Sequence, residues 1–158
     1  MAKEKESCLQ DLKEGYKNVQ KKHSLPNFDE LNKDFNIEKI SESETDFVLR
    51  EIRKYITEKF SNYLRFIESI LHPEGVPIFM YSVIKSISAE QKEKIVEIYK
   101  ELARYEVRMI KLDLEFDEKN EADFIKDAFK TWQEIKIDFL DVVKEIEKNW
   151  DNKFEPNN

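Results

Sequence analysis

The chain has 158 residues, of which 40% are hydrophobic and 39% are charged, and its formal net charge is -7. This length fits one domain with a buried core, and the apolar content argues against disorder. An acidic balance disfavours nonspecific binding to nucleic acid and to anionic membrane surfaces. We therefore expect no nucleic-acid partner and no membrane association.

Glycine is scarce, because Gly15 and Gly75 are the only two in the chain. A glycine-rich phosphate loop or a dinucleotide-binding motif needs two or three glycines within a short span. A Gly-x-Ser-x-Gly nucleophile motif is excluded on the same grounds. A sheet-rich fold would also need glycine in its many tight turns. The composition therefore predicts an all-α protein.

The single cysteine, Cys8, excludes an intrachain disulfide and a zinc site built from several cysteines. The first residues lack the apolar segment of a signal peptide, and the longest apolar run, 78–81, is too short to span a bilayer. These features are typical of a reducing compartment. We expect a cytoplasmic protein.

Two short helices are predicted first in the chain. Apolar residues recur at helical spacing from about residue 5 to 23, and three basic side chains occupy the last turn. After Pro26, Asn27 and Glu30 form a capping-box pattern that opens a short helix containing Phe35. We expect this N-terminal pair to cover one flank of the core.

Three long helices follow. The first ends at about residue 72, before Pro73, and its start could be capped by Ser43 with Asp46 or by Ser41 with Glu44. Ser88 and Gln91 form a capping box that opens the next helix, which extends to about 116. The last runs from the acidic connector 117–121 to about 150.

These elements predict an all-α fold, a helical bundle of three long antiparallel helices plus a short N-terminal helical pair. We expect a single helical domain over residues 1–158, with an ordered core at about 7–150 and frayed termini. Short connections between successive long helices favour antiparallel neighbours.

The helix over 88–116 has two apolar stripes about 120° apart, which predicts a central helix that touches two neighbours. The main stripe is Ile95, Ile98, Tyr99, Leu102, Tyr105, Met109, Leu112 and Phe116, and the second is Val96, Ala103, Val107, Ile110 and Leu114. We also expect Trp132 and Trp150 to fill the core from the last helix.

Glu106 and Asp113 lie at the edge of the main stripe, and Lys136 lies at the edge of the apolar stripe on the last helix. We predict that these are buried polar residues. Glu106 should pair with Lys136 or with a tyrosine hydroxyl, because a buried charge requires a partner.

Four carboxylates, Glu118, Glu121, Asp138 and Asp141, approximate the paired Glu-x-x-Glu and Glu-x-x-Asp motif of nucleotide pyrophosphatases resembling the MazG family. Aspartate replaces the third glutamate, and such a pattern arises by chance in a chain with 34 acidic residues. The pattern supports no family assignment. We expect no metal site and no cofactor.

The segment 76–87 is apolar without a clear helical or strand period. One interpretation is a crossover that completes the core of the bundle. The other is an exposed patch that binds another chain, because large apolar surfaces are seldom left bare on a monomer. The candidate interaction residues are Ile78, Phe79, Met80, Tyr81, Val83 and Ile84.

The sequence contains no catalytic constellation that we can assign. It favours a non-catalytic protein-interaction module or a subunit of a larger assembly, which binds a protein partner or associates with itself. The alternative is a helical enzyme that handles a small ligand, or nucleotides with Mg²⁺, through inward-facing carboxylates.

Overall fold

A computed structural model describes residues 1–155 of the chain. No strand occurs in this part of the chain, and the prediction of an all-α helical bundle is confirmed. Two 3₁₀ turns, Ile37–Glu42 and Pro73–Gly75, accompany the α-helices. The helices are α1 (Ala2–His23), α2 (Phe28–Phe35), α3 (Val48–Leu71), α4 (Ile78–Lys85), α5 (Ala89–Leu114) and α6 (Glu118–Phe154).

The helix bounds agree closely with the apolar periodicity in the middle of the chain and differ at the two ends. α1 begins at Ala2, and α6 continues to Phe154, so both helices extend beyond the predicted bounds. The predicted fraying of the C-terminus falls partly on residues 156–158, which lie outside the described residues.

Side-chain caps mark several helix starts. Asn27 Oδ1 accepts a hydrogen bond from the backbone N–H of Asp29 at 2.8 Å, and Ser88 Oγ accepts one from the N–H of Gln91 at 3.2 Å. The predicted caps of α3 at Ser41 or Ser43 are wrong, because the turn Ile37–Glu42 occupies this stretch and α3 begins only at Val48.

Two helices, α1 and α2, end at a left-handed residue that is not glycine. Ser24 has φ 55° and Asn36 has φ 56°, so both adopt the left-handed conformation that usually favours glycine. The N–H of Ser24 donates to the carbonyl of Gln20, and that of Asn36 donates to the carbonyl of Asn32. Ending α1 and α2 at a residue other than glycine therefore has a conformational cost.

The chain forms two compact units. Unit 1 comprises residues 1–60 and 105–130, and unit 2 comprises residues 61–104 and the chain from 131 onward. Each of α3, α5 and α6 therefore contributes one segment to each unit. The single domain and the antiparallel arrangement of the long helices stay predictions.

The core of unit 1 is aromatic. Phe60 meets Phe35 edge to face with ring centroids 5.9 Å apart, and it meets Tyr105 in the same way at 5.5 Å. Tyr105 in turn contacts Phe124 at 5.4 Å. These edge-to-face contacts suit the ring quadrupoles, so the rings hold α2 and segments of α3, α5 and α6 together.

The core of unit 2 combines rings with aliphatic side chains. Tyr63 stacks on Trp132 with ring centroids 5.2 Å apart, and it meets Phe139 edge to face at 5.2 Å. Trp132 is buried, as predicted. The aliphatic residues that unit 2 buries are Leu64, Ile67, Ile70, Val83, Ile84, Ile87, Ile95, Ile98, Leu102, Val142 and Ile146.

The two apolar stripes of α5 differ in solvent exposure. Most of the main stripe is buried, with Leu102 and Tyr105 fully enclosed, although Phe116 beyond the helix end is exposed. The prediction that the second stripe packs against a neighbour is wrong, because three of its residues are more than half exposed. These residues, which we call the α5 stripe, are Val107 at 69%, Ile110 at 55% and Leu114 at 83%.

Candidate functional site

The predicted interaction segment forms helix α4, which resolves the ambiguity between helix and strand in favour of a helix. One face of α4 belongs to the core of unit 2, because Val83 and Ile84 are buried. Met80 is half-buried at the edge of this face. The core interpretation therefore describes one side of the segment.

The opposite side of α4 faces solvent. Ile78 is 77% exposed, Phe79 61% and Tyr81 40%. At 100° per residue, Phe79 and Tyr81 lie about 160° apart on the helix, and Ile78 lies between them. α4 therefore presents a broad apolar arc to solvent. Rings from α6 lie at its Phe79 edge, and a cavity lies at its Tyr81 edge.

Two aromatic residues near the end of α6 extend this arc at the Phe79 edge. The ring of Phe79 meets Phe154 edge to face with centroids 5.7 Å apart, and Phe154 contacts Trp150 at 4.7 Å. Trp150 is 38% exposed, so the prediction that it fills the core is wrong. We call Ile78, Phe79, Tyr81, Trp150 and Phe154 the aromatic surface.

A surface cavity of about 210 Å³ lies at the Tyr81 edge of α4. Its apolar wall includes Ile70 and Ile84, both buried. Lys85 from the end of α4 and Lys92 from the first turns of α5 line the same cavity. All of these residues belong to unit 2.

Three hydrogen-bond donors at this cavity have no protein acceptor. Within residues 1–155, the ammonium groups of Lys85 and Lys92 and the hydroxyl of Tyr81 have neither an ion pair nor a side-chain hydrogen bond. By contrast, Lys94 on the same helix pairs with Asp138 at 3.7 Å and with Glu90 at 3.9 Å. The cavity thus joins an apolar wall to unsatisfied positive charge.

A buried ion pair lies in unit 1. Arg53 is 1% exposed, and its Nε donates a hydrogen bond to Oε2 of the fully buried Glu121 at 2.6 Å. Its Nη2 donates to Oδ1 of Asp113 at 2.8 Å. Glu121 Oε1 is buried and has no hydrogen-bond partner within residues 1–155.

Desolvation dominates the electrostatics of Glu121 but not of Arg53: burial lowers the pKa of Arg53, and its contacts with Glu121 and Asp113 together raise it above the ordinary value. Burial raises the pKa of the Glu121 carboxyl above its ordinary value, and the hydrogen bond from Arg53 only partly opposes that effect. Arg53 was missed in the sequence although a signal existed. Its spacing from Leu49, Ile56 and Phe60, at i−4, i+3 and i+7, places it on the apolar face of α3, which a solvated arginine would avoid.

The predicted buried polar residues have mixed outcomes. Glu106 and Lys136 are half-buried, and their pairing stays a prediction. Asp113 is exposed, with 49% of its side-chain surface in solvent, although it accepts the hydrogen bond from Arg53. Asp113 therefore lies at the solvent edge of the buried pair of Arg53 and Glu121. The sequence analysis did not predict that these two residues would be buried.

The four carboxylates of the paired motif do not lie together as a site. Glu121 belongs to the buried pair with Arg53, and the other three lie in surface contacts or in solvent. Glu118 accepts hydrogen bonds from Lys22 and His23, both at 2.7 Å, and these contacts lower the pKa of its carboxyl. Asp138 pairs with Lys94, and Asp141 is exposed. In the described residues, no three His, Cys, Asp or Glu side chains are grouped so that they could hold a metal ion.

Within residues 1–155, no helix combines the length and the apolar content needed to cross a membrane. Comparisons with known proteins identified no matching family model, no matching curated protein and no matching solved structure.

Proposed function

We propose that this protein is a non-catalytic helical interaction module that binds a protein partner through the aromatic surface of unit 2. The observation that supports this proposal is the chain of ring contacts from Phe79 through Phe154 to Trp150 at the protein surface. Aromatic side chains are enriched at the centres of protein interfaces, where a few of them dominate binding.

The rings are held in place before any partner binds. The buried side chains of Val83 and Ile84 anchor α4 in the core. The ring of Phe154 contacts those of Phe79 and Trp150, and these contacts restrict the rotamers of all three. Association then costs less side-chain entropy than it would with unrestrained rings. This pre-organisation favours a binding role over accidental exposure.

The α5 stripe is one of several other strongly exposed apolar surfaces, which include Ile137 with Leu140 on α6 and the ring pair of Phe47 and Phe116. It consists of aliphatic side chains, and it lies in unit 1. Its residues carry neither a ring nor a polar group for directional contacts, whereas the aromatic surface adjoins a cavity with three free donors. The α5 stripe therefore serves as the matched control.

The test compares two double variants. Phe79→Ser with Trp150→Ser removes the rings from the aromatic surface, and Val107→Ser with Leu114→Ser removes comparable apolar area from the α5 stripe. We expect only the first variant to lose co-purifying protein or self-association, as measured by quantitative affinity capture and light scattering. Circular dichroism and the thermal midpoint check that each variant stays folded.

Two results would overturn the proposal. In one, the variant of the aromatic surface retains every partner and the same oligomeric state as the wild type. In the other, only the variant of the α5 stripe loses association, which would move the interface to unit 1. Loss of the fold in the first variant would be resolved by Phe79→Leu, which keeps apolar volume while removing the ring.

A further inference from the structure

We infer that the cavity beside Tyr81 binds the C-terminal residue of the partner chain, with its carboxylate held by Lys85, Lys92 and the Tyr81 hydroxyl. This inference rests on the proposed function, because the cavity adjoins the aromatic surface through Tyr81. It adds the chemistry that the partner must present.

The charge of the site selects an anion. Lys85 and Lys92 line one cavity, and neither has a carboxylate partner within residues 1–155. Two other lysines on this helix are paired, Lys94 with Asp138 at 3.7 Å and Lys100 with Glu97 at 2.7 Å. In a chain of net charge -7, two adjacent unpaired lysines form a local site for a carboxylate.

The apolar wall selects the kind of anion. Ile70, Leu71 and Ile84 line the same cavity of about 210 Å³ as the two lysines. A ligand that fills the cavity must therefore present an apolar group and an anionic group close together. A C-terminal residue with an aliphatic side chain carries its carboxylate and its apolar group on one Cα. Capture of a partner's terminal carboxylate is a known mode of peptide recognition.

The position of the cavity relates the two parts of the interface. Tyr81 is shared, because it lines the cavity and is also 40% exposed on the arc of α4. A partner chain that ends in the cavity can continue over Ile78 toward Phe79. The partner's last residues would therefore lie on α4, and its terminal carboxylate would set their register.

The test uses fluorescein-labelled hexapeptides of sequence Ala-Ser-Ala-Ser-Ala-Leu and measures their binding to the full chain by fluorescence anisotropy. We expect the free acid to bind at least about tenfold more tightly than the C-terminal amide, because hydrogen bonds to a charged group are lost in the amide. A peptide amide with an internal glutamate and one with a phosphoserine test the other anion sources.

The variant Lys85→Gln with Lys92→Gln should abolish the preference for the free acid, and Tyr81→Phe should reduce it. Lys100→Gln with Lys144→Gln is the control, since it removes the same charge from unit 2 outside the cavity. That control should keep the preference. An equal loss in both double variants would show that only net charge matters and would overturn the inference.

Equal binding of the acid and the amide, or tighter binding of the glutamate or phosphoserine peptide, would also overturn it. These failures are distinguishable from failure of the proposed function. If the peptides do not discriminate but Phe79→Ser with Trp150→Ser still loses its partner, the aromatic surface stands without the cavity. If the free acid binds but that variant retains its partner, only the proposed interface fails.

Discussion

The Arg53 and Glu121 pair offers a sharp test of how unit 1 is stabilised. Replacing Arg53 with Met keeps an unbranched side chain of similar shape and removes the guanidinium. Glu121 is fully buried, so its carboxylate would then have neither solvent nor a donor. Breaking a buried pair in this way costs about 3–5 kcal/mol of folding free energy. That loss is a large share of the roughly 5–15 kcal/mol that stabilises a domain.

The double variant Arg53→Met with Glu121→Leu should behave in the opposite way. Burial already raises the pKa of Glu121, which indicates that the contact with Arg53 does not fully offset desolvation. Asp113 loses its donor, but water can solvate it because half of its side chain is exposed. We therefore expect the double variant to return to within about 1 kcal/mol of the wild type or to exceed it.

Chemical denaturation monitored by circular dichroism measures these differences. The reasoning would be refuted if Arg53→Met alone cost less than about 1 kcal/mol, since the charge on Glu121 would then be solvated by another route. It would also be refuted if the double variant were as unstable as the single one. In that case the ion pair would contribute net stability.

The same pair predicts a pH dependence with a definite sign. The pKa of Glu121 is higher in the folded chain than its ordinary value of 4.5, so the folded state binds the proton more tightly. This contribution to stability is complete below about pH 4.5 and is lost as the pH rises through the raised folded pKa. The stability of the wild type relative to Glu121→Gln should therefore increase as the pH falls toward 4.5.

Two further predictions, one with a control substitution, test the core and the helix propensity. Leu102→Ala should lower the free energy of unfolding by about 2–5 kcal/mol because Leu102 is fully buried, whereas the exposed Val107→Ala should change it by less than about 0.5 kcal/mol; a loss below that limit at Leu102 would contradict its place in the core. Gly15→Ala should raise the thermal midpoint, with a gain of up to about 1 kcal/mol, because Gly15 lies inside α1 and nothing lies within 4 Å of an added Cβ. An unchanged midpoint would show that this turn of α1 contributes little to stability, and a lower one would contradict the open space around Gly15.

Local patterns in the sequence predicted which segments become helices. The spacing of apolar residues and the Ser88 cap placed α5 to within a few residues, because both signals act within one or two turns of a helix. Periodicity left α4 open between helix and strand. In a helix this short, its few apolar residues are shared between a buried and an exposed face.

The sequence singled out the segment 78–84 as a candidate for interaction, and its division into a buried and an exposed face was not foreseen. Val83 and Ile84 serve the core, while Phe79 is joined by Trp150 and Phe154 from a helix far away in the sequence. Lys85 and Lys92 were not singled out. A cavity that depends on residues from three helices has no local signal in the chain.

By itself, the sequence determined the helical class of this protein and the apolar face of most helices, because those properties depend on residues a few positions apart. Only the tertiary structure decided which faces would be covered. It left the α5 stripe in solvent although its spacing resembles that of a core face, and it enclosed Arg53, whose charge suggested solvent. Burial depends on which helices become neighbours, and that choice is set by packing over the whole chain.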